Sequence, residues 1–240
     1  MSKANEYLGY VIGKLQEAAD SQQENVEKAA DLIVQSFMSG GDVFAFGSGH
    51  SHLIAEELFT RAGGLAFIKG ILAEELMLHG PTGKSTLIER MQGYAPILLA
   101  VHGVKKGDTI LIASNSGRNS VPVEMALCAK EMGANVIAMT SLRHSRQVES
   151  RDKSGKRLFE VADVALDNQA EYGDAGFYVD GCDTPTGAVS DAIGMALAQA
   201  VVVCVIEKLT QKGIEAPVMR SANSDNTDSH NEKLWKYFKG

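Results

Sequence analysis

The chain has little to cross-link it and little to carry it into a membrane. Its 240 residues include only three cysteines, Cys128, Cys182 and Cys204, with no C-x-x-C pair among them. An odd, scattered set excludes a disulfide framework and points to a reducing, cytoplasmic setting. No apolar run reaches the ~18 residues of a spanning helix, and the opening MSKANEYLGYVIGKLQEAAD lacks the apolar core of a signal peptide. The longest apolar stretch, Ile193 to Ile206, is interrupted by Gln199 and reads as a buried helix. Positive charge is also short: the formal net charge is −7, which excludes a general affinity for nucleic acid or acidic membranes. Any anion must therefore be held locally, by backbone N–H groups and a few side chains.

Glycines are missing where nucleotide-binding loops need them. The stretch LHGPTGKSTLIER ends like a P-loop, but Leu78 stands where the first glycine must let the backbone curl around phosphates. FGSGHSHLIAEEL approaches a dinucleotide fingerprint, but His52 stands at the third glycine position. The six histidines show no H-x-x-x-H or H-E-x-x-H spacing. His50 and His52 form an H-x-H turn, the nearest approach to a metal pair, and the reading expects neither metal nor cofactor.

What is present is a regular alternation. Apolar positions at helical spacing cover residues 4–19 and 24–38, so two helices lead in. Short apolar runs follow at DVFAFG, LAFIKG, DTILIAS, NVIAMTS and DVALDN, most separated by helical patterns. Residues 72–102 read as mostly helical with a break at HGPTGK, and a long helix is expected to start at Pro185-Thr186 and stop at Gly213. Alternating strands and helices predict an α/β fold, a three-layer αβα sandwich on a mostly parallel, five-stranded, doubly wound sheet. Ligands in such sheets bind at the carboxyl ends of the strands.

Two strand-to-helix turns there are chemically alike. In FGSGHSHLIAEEL, Gly47 and Gly49 allow close backbone approach, and Ser51 is placed to cap a helix. In IASNSGRNSVPVEM, Ser114, Ser116 and Ser120 put three hydroxyls around Gly117 at the start of a helix. Hydroxyls and N–H groups converging on a helix N-terminus hold phosphate without net positive charge.

These turns resemble the signatures of the SIS (sugar isomerase) family. GDTILIASNSGRNSVPVEMALCAKEMGANVIAMTS is similar to its strand, Ser-x-Ser-Gly, helix and strand. GSGHSHLIAEELFTRAGG is similar to its Gly-x-Gly-x-Ser turn, and DTPTGAVSDAIGMALAQAV to its last helix. Three segments, SLRHSRQVESRDKSGKRL, DNQAEYGDA and SANSDNTDSHNEKL, resemble a phosphosugar-binding, phosphoheptose-isomerase-like branch. The resemblance implies one SIS domain over 1–240, with its core at about 20–212 and a C-terminal arm at 214–240. It also implies a phosphorylated-sugar ligand, and dimers or tetramers with sites near subunit interfaces. By motif match the binding set is Gly49, His50, Ser51, Ser114, Asn115 and Ser116, with Asn119 or Ser120 as the last phosphate contact.

Aldose–ketose isomerisation through an enediol needs a base to move a proton between adjacent carbons and an acid to serve the oxygens. His50 stands where the arabinose-phosphate branch has a lysine. His79-Gly80 matches that branch's histidine-glycine, with Glu75 four residues earlier, on the same face if the stretch is helical. Glu56 and Glu57 lie in a run like the one holding the phosphoheptose isomerases' catalytic glutamate, and Glu57 shares its face with Leu53, Ile54 and Arg61. His230, in the polar arm, is placed to cover a neighbouring subunit's site. A basic cluster including Arg143, Arg146, Arg151 and Arg157 is a further source of anion contacts. The expected activity is a sugar-phosphate isomerase with Glu57, Glu75, His79 and His230 as the acid–base candidates. A non-catalytic phosphosugar sensor and an amino-sugar-phosphate lyase or etherase remain alternatives, because the fold supports all three.

Overall fold

A computed structural model describes residues 2–225 and 227–238. In place of two leading helices there is one, α1 (Lys3–Met38), 36 residues long. The polar stretch at residues 20–23 contains no glycine or proline to break it. Gln22 instead turns inward, where its side-chain oxygen accepts from the Asp167 N–H at 3.0 Å. After Gly40 and Gly41 comes β1 (Val43–Gly47), then α2 (His52–Leu58) and β2 (Ile68–Ile71).

The expected helical region over 72–102 is broken up. It holds a single 3-10 turn at Glu74–Leu76, then α3 (Lys84–Glu89) and α4 (Tyr94–Val101). Gly83 (φ +86°) and Gly93 (φ +83°) interrupt it in the left-handed region, where side chains are disfavoured. The pattern then settles into β3 (Thr109–Ala113), α5 (Ser120–Met132), β4 (Asn135–Thr140), the short α6 (Leu142–Ser145) and α7 (Leu158–Val161), and β5 (Val164–Asp167).

The last helix starts later than its Pro-Thr signal suggests. Thr186–Ala188 forms β7, paired antiparallel with β6 (Ala175–Phe177), and α8 runs from Ser190 to Gln211. A small α9 (Asp228–Leu234) and a 3-10 turn at Trp235–Tyr237 close the described chain.

The five strands form one sheet in the order β2-β1-β3-β4-β5, with all four pairings parallel. Side chains alternate across it with period two. Val43, Ala45, Leu111 and Ile137 face α1, α2 and α8, whereas Phe44, Phe46, Ile110, Ile112 and Val136 face α4, α5 and α7. The three-layer α/β sandwich is thus the observed architecture. By length and composition α8 could cross a membrane, with an 18-residue window of mean hydropathy 1.9. Here Ile193, Leu197, Val201 and Val205 bury it against α1 and α2, as a core helix.

Candidate functional site

The chain reverses direction across the sheet at β1: the connection through α2 leads to β2 on one side, and β3 lies on the other. At such a switch point the turns after the two strands diverge and leave a crevice at their carboxyl ends. The turns that bound it are residues 47–52 and 114–120.

The first turn depends on Gly47. A Cβ there would lie 2.8 Å from the His52 nitrogen and nearer still to the Ser51 carbonyl, because the chain folds straight back over the strand end. Gly49 takes φ +57° and starts a 3-10 turn through Ser51. Ser51 adopts helical angles and makes no capping bond, contrary to the expected cap, so its half-buried hydroxyl has no partner among the described residues.

The second turn is held open by a glycine too. Gly117 takes φ +56°, and a Cβ there would press on Leu158, Ser145 and Thr140. The Asn115 carbonyl accepts from Ser141 N–H and Thr140 Oγ1, both at 3.1 Å, and its side-chain oxygen accepts from Asn168. Ser114 is 4% exposed and Ser116 is half-buried, and neither hydroxyl has a partner among the described residues. Ser120 differs: its buried hydroxyl accepts from Gln92 Nε2 at 2.7 Å and donates to the Arg151 carbonyl. Asn119 is committed at both ends, to Glu89 and to Arg151. Among the described residues the uncommitted hydroxyls of the two turns are therefore Ser51, Ser114 and Ser116, the last two in the stretch that leads into the 13-residue α5.

Two further carboxylates stand here that the sequence reading passed over. Glu89, the last residue of α3, accepts from Ser48 Oγ and from Asn119 Nδ2, each at 2.7 Å, and so bridges the two turns. Asp191 lies in the first turn of α8, one turn before Gly194, which packs against Ile54 of α2. One Asp191 oxygen is buried without a partner among the described residues. Burial, and then the nearby Asp174 carboxylate, push its pKa up, against a smaller opposing effect of His50 and His52. Reading α8 as starting at Pro185 placed Asp191 in a helix interior and hid it. Glu89 was masked by the false P-loop beside it.

The expected acid–base set is dispersed. Glu57 is half-buried between α2 and α8, where its Oε1 accepts from Gln199 Nε2 at 2.9 Å and its Oε2 pairs with Arg61. Glu75 and His79 do not share a helical face, because the backbone is extended at Met77. Glu75 is exposed and accepts from the Tyr94 hydroxyl at 3.1 Å. A backbone N–H bond and that hydroxyl hold its carboxyl below the usual range, the opposite of what a poised base needs. His79 is exposed and lies edge-on to the buried His52 at 5.8 Å between ring centroids. Glu56, by contrast, lies 3.5 Å from His52 Nε2. His50 is exposed beside Ser51.

The arm folds on its own chain. Leu65 bridges Val218 in antiparallel fashion, and the His230 ring contacts the Val218 carbonyl at 2.9 Å. This lies before β2, at the opposite end of the strand from the crevice. Within one chain His230 is thus not brought to the serines. Of the basic cluster, Arg151 reaches the crevice through Asn119, whereas Arg143 pairs with Glu17 and Glu171, and Arg157 with Glu160. Among the described residues no group of three His, Cys, Asp or Glu side chains is placed to hold a metal ion.

Known proteins share this fold and much of this sequence. The SIS domain matches residues 6–141. A UPF0309 protein of Halalkalibacterium halodurans is 48% identical over 237 residues, covering 99% of this chain and 98% of its own. Among solved structures, phosphoheptose isomerase GmhA from Neisseria gonorrhoeae superposes with a TM-score of 0.56 at 20% identity, over 85% of this chain and 97% of that one. The Vibrio vulnificus NanR protein complexed with ManNAc-6P superposes at 0.55 with 13% identity, over 99% of this chain and 70% of that one. At these identities the structural likenesses establish the shared fold.

Proposed function

Since the chain belongs to the SIS domain family, we propose that the crevice takes the phosphate of a phosphorylated sugar and that groups around it interconvert aldose and ketose through an enediol. The observation that carries the reading is the sorting of hydroxyls. Ser51, Ser114 and Ser116, the serines matched by the family motif, are those without partners, while the neighbouring Ser48 and Ser120 are committed. Together with the N–H groups opening α5, they offer a dianion charge-assisted bonds without a net cationic surface. Gly47 and Gly117 let the backbone come close enough to make them.

In the isomerase reading the sugar extends from the phosphate toward the start of α8. A base takes the proton from C2 of the aldose and returns it to C1, while an acid serves the carbonyl oxygen. Asp191, with an oxygen that has no partner among the described residues, and Glu57, on release from Gln199 and Arg61, are the carboxylates we assign to these roles, with His50 at the rim. Raised affinity for a proton, caused first by burial and then by the Asp174 carboxylate, suits Asp191 to accept one and return it. The chain works as a cytoplasmic homodimer or tetramer. The exposed apolar row Leu8, Ile12 and Leu15 on α1 supports such an assembly.

A phosphosugar sensor is the second reading. It is favoured by Glu75 and His230, both committed away from the crevice. Thermal-shift screening of sugar phosphates, followed by proton exchange of each binder in deuterium oxide, separates the two. Exchange at C2 supports the isomerase, and binding without exchange for every sugar leaves the sensor. Wild-type affinity in Ser116→Ala would remove the phosphate assignment itself.

A further inference from the structure

The crevice already holds an anion. Glu89 reaches across it from α3, and its two carboxylate oxygens are bonded to different walls: Oε1 to Ser48 of the first turn and Oε2 to Asn119 of the second, each at 2.7 Å. Asn119 passes the contact on to Arg151, whose guanidinium donates to its side-chain oxygen at 2.9 Å. The Arg151 N–H in turn donates to the Arg118 carbonyl at 2.7 Å, and Arg118 has a buried, partnerless Nε. Arg90 follows Glu89 directly and, with Arg118, places its charge close to Arg151. Glu89 thus lies on the line where the two turns meet, one hydrogen bond removed from the Arg151 guanidinium.

A phosphate dianion in that crevice cannot share it with a carboxylate at hydrogen-bond range. Like charges in a partly buried site repel strongly. With the dianion beside Glu89 the negative charge at this line would rise from one to three. We propose that Glu89 is a resident competitor of the phosphate, an internal latch that closes the two turns together and must leave before the ligand is fully bound. This rests on the phosphosugar reading above and adds a conformational step to it.

The local chain is built for a limited release. Gly83 and Gly93, both at positive φ, bound the segment that carries Glu89. Its far end is fixed, because Gln92 bonds to Ser120 and the Gly93 N–H bonds to the Glu124 carboxylate. Leu87 of α3 and Met91 just after it lie 69% and 53% exposed, so Ile88 is the apolar side chain of α3 that packs on the core. Release of Glu89 frees Ser48 Oγ and Asn119 Nδ2 together, converting a carboxylate site into a phosphate site.

The test uses the full chain and inorganic phosphate as the probe, titrated calorimetrically at fixed ionic strength. Glu89→Gln keeps the size of the side chain and removes its charge. It should bind phosphate about 5- to 100-fold more tightly than the wild type, the range of a typical coupling between two ligands. In the wild type, hydrogen exchange of the amides at 84–89 should quicken on adding phosphate, a measurement that needs no variant to fold. Unchanged or weaker affinity in Glu89→Gln, with no change in exchange, overturns the latch. If phosphate still binds the wild type in that case, and Ser116→Ala abolishes binding, the phosphosugar reading stands without it. Failure of phosphate to bind either chain overturns both.

Discussion

Substituting alanine for Gly47 adds one methyl group and should disable the first turn. The fault is one of space, because Gly47 lies in the ordinary strand region and the chain folds directly back over it. The added Cβ would lie 2.8 Å from the His52 nitrogen, where relaxed contact begins near ~3.5 Å. The turn must therefore retreat by roughly 0.7 Å at His52, and by more at the Ser51 carbonyl. Overpacking of this kind costs about 1–3 kcal/mol of stability, a fall of roughly 3–10 °C in Tm for a chain of this size. The same displacement takes the Ser51 hydroxyl off its phosphate oxygen. One bond to a charged group contributes about 1.5–3 kcal/mol, so Kd for phosphate should rise roughly 10- to 150-fold. Calorimetric titration and thermal denaturation by circular dichroism read the two effects separately. Ser51→Ala, which moves nothing, should reproduce the affinity loss with Tm almost unchanged. Wild-type phosphate affinity in Gly47→Ala beside a lowered Tm would show that the turn deforms without the ligand sensing it, and Ser51 would be removed from the site.

Ser116→Ala and Ser120→Ala should separate cleanly. The first should weaken phosphate binding by roughly tenfold or more with little change in stability. The second, which strips a buried hydroxyl of its bonds to Gln92 and the Arg151 carbonyl, should cost about 1 kcal/mol of stability and leave affinity close to wild type; equal affinity losses in a titration would undo the sorting. Asp108 lies at the other end of β3, fully buried, accepting from the Asp42 and Lys105 N–H groups at 2.8 Å. Asp108→Ala should lower Tm by roughly 6–12 °C, because two buried donors lose a charged acceptor, and unfolding followed by fluorescence checks this. Asp191→Asn is a pH test. Its carboxyl holds a proton more tightly folded than unfolded, so the ionised form costs stability above the raised folded value. That cost fades as pH falls toward the unfolded value of 3.8. The variant should be the more stable chain at pH 7–8, with the advantage gone by about pH 4; a gain that persists in acid would place the effect outside titration.

Periodicity made the layers legible. Strands such as Thr109–Ala113 and Asn135–Thr140 are short apolar runs, β-branched in part and bounded by turns, which their length separates from helices. The serine turns were legible because their chemistry is local, complete within seven residues of chain. What was not legible depended on distant partners. Nothing near Gln22 announces that it bonds to the backbone of β5, so the polar stretch around it read as a break. The segment 72–102 has helix-forming residues, but Gly83 and Gly93 and the docking of Glu75 on Tyr94 decide its course. Asp191 and Glu89 gain meaning only once α8 and α3 are brought against turns far away in sequence.

The pairing of Leu65 with Val218 also sets an order of events. β2 is an edge strand of the sheet, and an uncovered edge invites pairing with other chains. Backbone bonds from Gly63 and Ala66 to Met219 and Pro217 tie down the residues just before it. During synthesis those partners emerge only after every strand of the sheet has been made. The nascent chain therefore spends most of its translation with this corner unsealed, and slowing the ribosome near residue 213 should be where aggregation of this protein is most easily provoked.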